Sequence, residues 1–267
     1  MTKNINIRQA NGISWQEAGN GELLLFLHAM AGSRTAWSPQ FSMFSSTYRC
    51  VAWDMPGFGE SETLPPSARM GDVVDLLRNF IVRDLKVTSC HIVGLSVGGM
   101  ILQNFAAKYP ELVKSAVIVD SSPKFGLGGD MKPAEFVDPI CQDLKSCSSI
   151  DGFCDNMIRS IVGPACSEAV KIDAIDAMMR ATASGLMLTT KLIGQHDALD
   201  VLKDIRARTF VMVGENDGET PVAYSEALAS KIKDAELSVI RNAGHLSNLE
   251  NALQFNNDLQ NFLRPNS

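Results

Sequence analysis

The segment Gly94-Leu95-Ser96-Val97-Gly98-Gly99 constrains the fold of this chain more than any other. It follows an apolar run, Cys90–Val93, and precedes an amphipathic run, Met100–Ala107, which is the order strand, sharp turn, helix. Glycines on both sides of the serine allow the strand and the helix to pack closely around the turn. The pattern therefore predicts a nucleophile elbow, in which the Ser96 hydroxyl stands exposed above a sheet.

Apolar runs alternate with helical patterns along the chain, which predicts a mostly parallel sheet covered by helices on both faces. Helical spacing is seen over Met70–Leu85 and again over Ala252–Leu263. The predicted strands are Ile13–Ala18, Leu23–His28, Tyr48–Asp54, Ser89–Leu95, Val113–Asp120, Arg208–Val213 and Glu236–Ile240.

The pattern changes between Asp120 and Arg208, where residues 130–200 contain no clear strand and are rich in Asp, Ser, Ala and Met. This composition indicates several helices. We therefore expect a core domain made of residues 1–129 and 201–267, with residues 130–200 forming a helical cap inserted over the elbow.

A serine hydroxyl needs a base, and the base is usually a histidine oriented by a carboxylate. His245 follows Gly244 in a loop between the last strand and the last helix. Asp217 follows the strand Arg208–Val213, so the chain order is serine, acid, histidine. We predict Ser96, Asp217 and His245 as a catalytic triad, with Asp120, at the end of the preceding strand, as the rival acid.

An oxyanion hole requires two backbone amides at the point where a tetrahedral oxygen forms. Val97, directly after the serine, is expected to supply one, and Met30, in the loop after the strand Leu23–His28, the other. His28 is expected to brace this loop through hydrogen bonds, and His91 is expected to be a packed or edge residue of a strand.

The composition limits the classes of partner. The chain has 267 residues, 24 basic and 30 acidic, for a net charge of −6. An acidic chain without a basic run does not favour binding to nucleic acid or to an anionic membrane. With no apolar signal core and no membrane-spanning run, we expect a cytoplasmic protein. A monomer and a homodimer are both left open. The six cysteines, four of them between residues 141 and 166, are interpreted as free thiols.

These motifs together resemble the α/β-hydrolase superfamily over residues 13–120 and 200–263. The resemblance rests on the His28 loop, the run Asp54-Met55-Pro56-Gly57-Phe58-Gly59, the elbow, the Asp217 loop and Gly244-His245. It implies an α/β-hydrolase fold with a mostly parallel eight-stranded sheet and an inserted helical cap, and it implies the same triad. The family often has glycine directly after the loop histidine, where this chain has Ala29.

Within the superfamily, the elbow is similar to that of 3-oxoadipate enol-lactonases and related carboxylesterases. The carbon–carbon bond hydrolases often have asparagine before the serine, where this chain has Leu95. The resemblance implies a serine hydrolase acting on a small-molecule ester or lactone without a metal or organic cofactor. A carbon–carbon hydrolase, a cofactor-free oxygenase and a slow, ligand-sensing member of the fold remain alternatives.

The cap is expected to set specificity. Four methionines, at positions 157, 178, 179 and 187, suggest an adaptable apolar lining, although packing of helix against sheet explains each of them as well. Arg159 and Arg180 are interpreted as solvated rather than as ligands of a substrate carboxylate, so an uncharged acyl group is expected. His196 is interpreted as a solvated residue at a helix end.

Overall fold

A computed structural model describes residues 5–264 of the chain. One sheet of eight strands forms its centre. In chain order the strands are β1 (Asn6–Ala10), β2 (Ile13–Ala18), β3 (Leu23–Leu27), β4 (Arg49–Trp53), β5 (Cys90–Leu95), β6 (Val113–Val119), β7 (Arg208–Gly214) and β8 (Glu236–Ile240).

The strands lie in the order β1-β2-β4-β3-β5-β6-β7-β8. Strand β2 runs antiparallel to both of its neighbours, whereas the strands from β4 across to β8 are parallel. All five residues of β3 are buried, as expected of a strand covered on both faces. The predicted mostly parallel sheet of eight strands is confirmed.

Strand β1 was not among the strands predicted from individual apolar runs. Its residues Asn6 to Arg8 are exposed, and it pairs only with β2, at the edge of the sheet. An edge strand with both faces in solvent needs no hydrophobic pattern, so periodicity does not reveal it.

Ten α-helices accompany the sheet within residues 5–264. The helices outside the segment 130–200 include two pairs that pack together. Helix α1 packs with α10, and α2 packs with α3, as expected for helices on opposite faces. The helices are α1 (Ser38–Phe44), α2 (Met70–Asn79), α3 (Val97–Lys108), α4 (Pro133–Ser146), α5 (Asp151–Ile161), α6 (Glu168–Met178), α7 (Ala183–Gly194), α8 (Val222–Lys231), α9 (Ser247–Glu250) and α10 (Ala252–Leu263).

Helices α4 to α7 lie between β6 and β7, within the segment 130–200 predicted to form a cap. Two backbone hydrogen bonds join the start and the end of this insertion. The Phe125 amide donates to the His196 carbonyl over 2.9 Å, and the Ala198 amide donates to the Pro123 carbonyl over 2.8 Å. The division of the chain into a core domain and a cap domain stays a prediction.

The four cysteines of this segment are free thiols, and Cys147 is the exposed one, whereas Cys141, Cys154 and Cys166 are buried. Burial raises the pKa of the Cys154 thiol to about 11, so that thiol is neutral and inert near neutral pH. In the part of the chain that the structure describes, no helix combines the length and the apolar character needed to span a bilayer.

Candidate active site

Ser96 stands at the turn between β5 and α3 in a backbone conformation that side chains rarely adopt, with φ +55° and ψ −118°. Such a conformation costs about 1–3 kcal/mol and persists only where the surroundings enforce it. Here Gly94 packs on the backbone of Gly98, and Gly98 packs on the carbonyl of Leu27, so neither position has space for a Cβ. The close packing of strand and helix thus holds the Ser96 hydroxyl above the carboxyl end of the sheet.

The structure brings the three residues of the predicted triad together. His245 Nε2 lies 2.9 Å from Ser96 Oγ, and His245 Nδ1 lies 2.9 Å and 3.0 Å from the two carboxylate oxygens of Asp217. All three side chains are buried, which strengthens their electrostatic interactions. The imidazole therefore connects the hydroxyl to the carboxylate in one hydrogen-bonded line.

The turn after β7 prepares the Asp217 carboxylate for this role. One oxygen accepts hydrogen bonds from the backbone amides of Glu219 and Thr220, and the other accepts the Thr220 hydroxyl over 2.7 Å. Burial alone would raise the pKa of Asp217, but the charge and hydrogen bond of His245 and the Thr220 donors outweigh it and lower that pKa. Asp217 is therefore ionised at neutral pH.

The environment of His245 favours its protonated form. Burial alone would lower its pKa, but the Asp217 charge and hydrogen bond, aided by the charge of Asp120, raise it to about 9. This arrangement stabilises a protonated imidazole at the position between Ser96 and Asp217.

Asp120, the rival acid, has a different position. One of its oxygens accepts the Gly214 amide over 2.8 Å, and the other accepts the amide and the hydroxyl of Ser247. Burial and the nearby Asp217 charge raise the pKa of Asp120 to about 8. Asp120 thus joins the end of β7 to the start of α9, while Asp217 is the carboxylate bonded to His245.

The two backbone amides predicted to form an oxyanion hole belong to Val97, directly after Ser96, and to Met30, which lines the same cavity as Ser96. Among residues 5–264, neither the Val97 amide nor the Met30 amide has a hydrogen-bond acceptor. His28 braces the loop that carries Met30, because its Nδ1 bonds to the Ala29 carbonyl and its Nε2 accepts the Met55 amide over 2.9 Å. The interpretation of His28 as a bracing residue is confirmed.

A cavity of about 470 Å³ lies directly above Ser96 and His245. Its lining is largely apolar and combines residues of the segment 130–200 with residues from the rest of the chain. The larger apolar side chains that line it are Met30, Met100, Phe125, Met131, Phe136, Met157, Ile161 and Ile193.

Of the four methionines suggested for this lining, Met157 faces the cavity and the other three do not. Met178 is fully buried within the core and Met179 is exposed. Met187 packs against the core, where packing accounts for it. Helical periodicity identifies an apolar face, but it does not distinguish a face packed on the protein from one that lines a space.

The segment Lys124–Met131 contributes six lining residues and was missed as a binding segment. Its signal in the sequence is the run Gly126-Leu127-Gly128-Gly129 soon after β6, since a glycine-rich loop at the carboxyl end of a parallel strand commonly borders a binding site.

Arg159 is exposed and paired with Asp155 and Glu168, as expected of a solvated residue. Arg180 also lies outside the cavity above the serine, but it is half-buried and its Nε is shielded from solvent. The interpretation of His196 as a solvated residue is wrong: its side chain is buried and its Nε2 bonds to the Ser122 carbonyl. Its partner Ser122 lies 74 residues earlier in the chain, so this contact is not local in sequence.

The family model for the alpha/beta hydrolase fold matches residues 22–139, which contain β3 to β6 and the elbow. The enol-lactonase from Burkholderia xenovorans superposes with a TM-score of 0.86 at 20% identity, over 97% of this chain and 99% of that chain. This chain is an α/β-hydrolase-fold protein.

Curated relatives of this α/β-hydrolase-fold protein are hydrolases. It is 25% identical to the (E)-2-((N-methylformamido)methylene)succinate hydrolase of Acinetobacter baylyi, over 98% of both chains. It is also 25% identical to a 2-hydroxy-6-oxo-6-phenylhexa-2,4-dienoate hydrolase of Comamonas testosteroni, over 94% of this chain and 91% of that protein. These similarities span the core and the predicted cap.

Proposed function

We propose that this protein is a serine hydrolase that cleaves a small carboxylic ester or lactone through an acyl-enzyme on Ser96. The observation that carries the proposal is the hydrogen-bonded line from Ser96 through His245 to Asp217 on the floor of a largely apolar cavity. A hydroxyl in contact with a buried, carboxylate-bound imidazole has the arrangement that nucleophilic catalysis of acyl transfer requires.

In the proposed reaction, Ser96 Oγ attacks the carbonyl carbon of the ester while neutral His245 takes the hydroxyl proton at Nε2. Asp217 stabilises the imidazolium. The Met30 and Val97 amides donate to the oxyanion, an effect of about 3 kcal/mol per donor. The imidazolium then protonates the departing alcohol, and the base, neutral again, activates a water that releases the acid from Ser96.

The charges around the cavity favour an uncharged acyl group. In the described part of the chain, Lys124 is the one lysine or arginine that lines the cavity, and its Nζ lies 2.9 Å from Asp197. Two carboxylates, Asp130 and Glu219, also border the space. A substrate carboxylate would compete with Asp197 for Lys124 and would be repelled by these two acids.

Carbon–carbon bond hydrolysis is the second candidate, because relatives that match over nearly the whole chain are dienoate hydrolases. The names of these relatives describe substrates that are carboxylates. The substrate named for the Acinetobacter baylyi relative, a succinate derivative, is also a carboxylate. The pairing of Lys124 with Asp197 is the feature that favours the neutral ester over such anionic substrates.

The test is hydrolysis of p-nitrophenyl esters from acetate to decanoate by the wild-type protein and by Ser96→Ala. We expect a preferred chain length, and a loss of about 10⁶-fold in kcat for Ser96→Ala at unchanged circular dichroism.

Comparing p-nitrophenyl butyrate with the similar but anionic p-nitrophenyl hydrogen succinate isolates the effect of charge, and we expect the neutral ester to be preferred. Turnover retained by folded Ser96→Ala contradicts the mechanism. Cleavage of a 2-hydroxy-6-oxo-dienoate with no ester turnover favours the second candidate.

A further inference from the structure

The end of helix α5 rests directly on the loop that carries His245. The His245 amide donates a hydrogen bond of 3.0 Å to the carbonyl of Ile161, the last residue of the helix. Beside this bond Gly163 and Gly244 meet backbone to backbone, so that a Cβ on Gly163 would lie 2.9 Å from the Gly244 nitrogen. The cap segment and the histidine loop are therefore in contact with no side chain between them.

One carboxylate, that of Glu250 at the end of α9, holds both segments. Its Oε1 accepts the amide of Leu246, the residue after His245, over 3.1 Å. Its Oε2 accepts the amide of Gly163, in the cap, over 2.8 Å. Hydrogen bonds from backbone amides to a carboxylate are stronger than neutral ones, and here the two bonds join two separate segments through one side chain.

Helix α5 also forms part of the cavity wall. Met157 and Ile161, one turn apart, line the space above Ser96. Ile161 thus faces the acyl site with its side chain and binds the His245 amide with its carbonyl. The end of α5 is therefore bonded directly to the backbone of the histidine.

We propose that Glu250 is a positioning residue that locks the end of α5 to the histidine loop, so that packing of the acyl group against α5 sets the position of His245 relative to Ser96. The proposal rests on the proposed function, in which these two residues are the base and the nucleophile. Glu250 does not line the cavity, so its effect on the reaction passes through the backbone it holds.

The test compares Glu250→Gln with the matched control Glu215→Gln. Glutamine keeps the shape of the side chain, but it has one acceptor oxygen and turns an NH₂ group toward the second amide. Glu215 accepts the Asn242 amide over 2.9 Å, so it holds the same loop without contacting the cap through that bond. If Glu250 only supported the histidine loop, Glu250→Gln and Glu215→Gln would have equal effects.

The measurement is the rate at which an alkyl fluorophosphonate modifies Ser96, which requires an activated serine but no knowledge of the substrate. Displacement of a catalytic group by less than an ångström slows chemistry by about 10- to 100-fold, and we expect a loss in this range for Glu250→Gln. We expect Glu215→Gln to react at nearly the wild-type rate. Glu250→Asp keeps the charge, but its shorter side chain reaches at most one of the two amides, so we expect an intermediate rate of modification. This variant replaces Glu250→Gln in the test if Glu250→Gln does not fold.

Coupling between α5 and the histidine is measured by adding Met157→Ala to each protein. We expect Met157→Ala to slow modification in the wild-type and Glu215→Gln backgrounds, and to have a clearly smaller effect on Glu250→Gln, where the lock is already broken. Equal effects in all backgrounds, or wild-type reactivity of Glu250→Gln, would overturn the proposal alone. An unreactive wild-type protein, or modification that persists in Ser96→Ala, would overturn the proposed function together with it.

Discussion

Replacement of Asp217 by asparagine tests the electrostatic structure of the site. One Asp217 oxygen accepts two backbone amides, which cannot become acceptors. The asparagine carbonyl must therefore stay on that side, and its NH₂ group must face the Thr220 hydroxyl and His245 Nδ1. The NH₂ group, which replaces the oxygen 2.9 Å from Nδ1, favours the tautomer in which the imidazole accepts at Nδ1 and carries its proton on Nε2, the atom that faces Ser96.

A histidine in this tautomer cannot accept the serine proton, and in the serine-protease triad the equivalent change lowers kcat by about 10⁴-fold, or about 5 kcal/mol of transition-state stabilisation. The change also removes the charge that contributes most to raising the pKa of His245 to about 9, whereas burial, which lowers that pKa, remains. The base must be neutral, so activity of the wild type should rise with pH toward the raised pKa, and residual activity of Asp217→Asn should level off at lower pH.

The assay is the pH profile of kcat/KM for p-nitrophenyl acetate, with Asp120→Asn as the matched control. Asp120 is also a buried carboxylate whose charge raises the pKa of His245, but it makes no hydrogen bond to the imidazole. We expect Asp120→Asn to move the acid limb in the same direction without the loss of about 10⁴-fold. A larger loss for Asp120→Asn than for Asp217→Asn, or an acid limb unchanged in Asp217→Asn, would refute the reasoning.

Two further predictions concern the fold. Gly98→Ala should lower the free energy of unfolding by about 3 kcal/mol or more, because its Cβ would overlap the Leu27 carbonyl. The control Gly71→Ala has open space within α2 and should stabilise by about 0.5–1 kcal/mol, so equal urea midpoints would contradict the packing argument. Ellman's reagent should modify one thiol rapidly in the native protein, that of exposed Cys147, and Cys147→Ser should abolish this reaction. Rapid modification of a second thiol would contradict the burial of the others.

Local patterns in the sequence were sufficient to predict the buried strands and the elbow of the fold. The apolar runs at β3, β5 and β7 are buried on both faces of the sheet, so hydrophobicity alone marks them. The elbow is also local, because Gly94, Ser96 and Gly98 lie within one turn and their spacing determines how closely strand and helix approach. The order of these elements predicted that Asp217 and His245 would follow at the ends of later strands.

Other features depend on contacts between distant segments and have no local signal. Periodicity marked an apolar face at Met157 and at Met178 alike, but only one of them borders the cavity. The sequence around His196 predicts a solvated helix end, but the side chain is buried and bonds to the carbonyl of Ser122, a residue far away in the sequence.

The sequence by itself determined the buried strands of the sheet, the elbow and the residue types that flank it, because each follows from hydrophobic period and backbone sterics over a few residues. Only the tertiary structure decided which of two carboxylates meets His245, and that Glu250 joins the cap to the histidine loop. Asp120 and Asp217 both follow parallel strands of the same sheet. The choice between them depends on the turn after β7 and on hydrogen bonds across about 30 residues or more, which no short segment of the chain encodes.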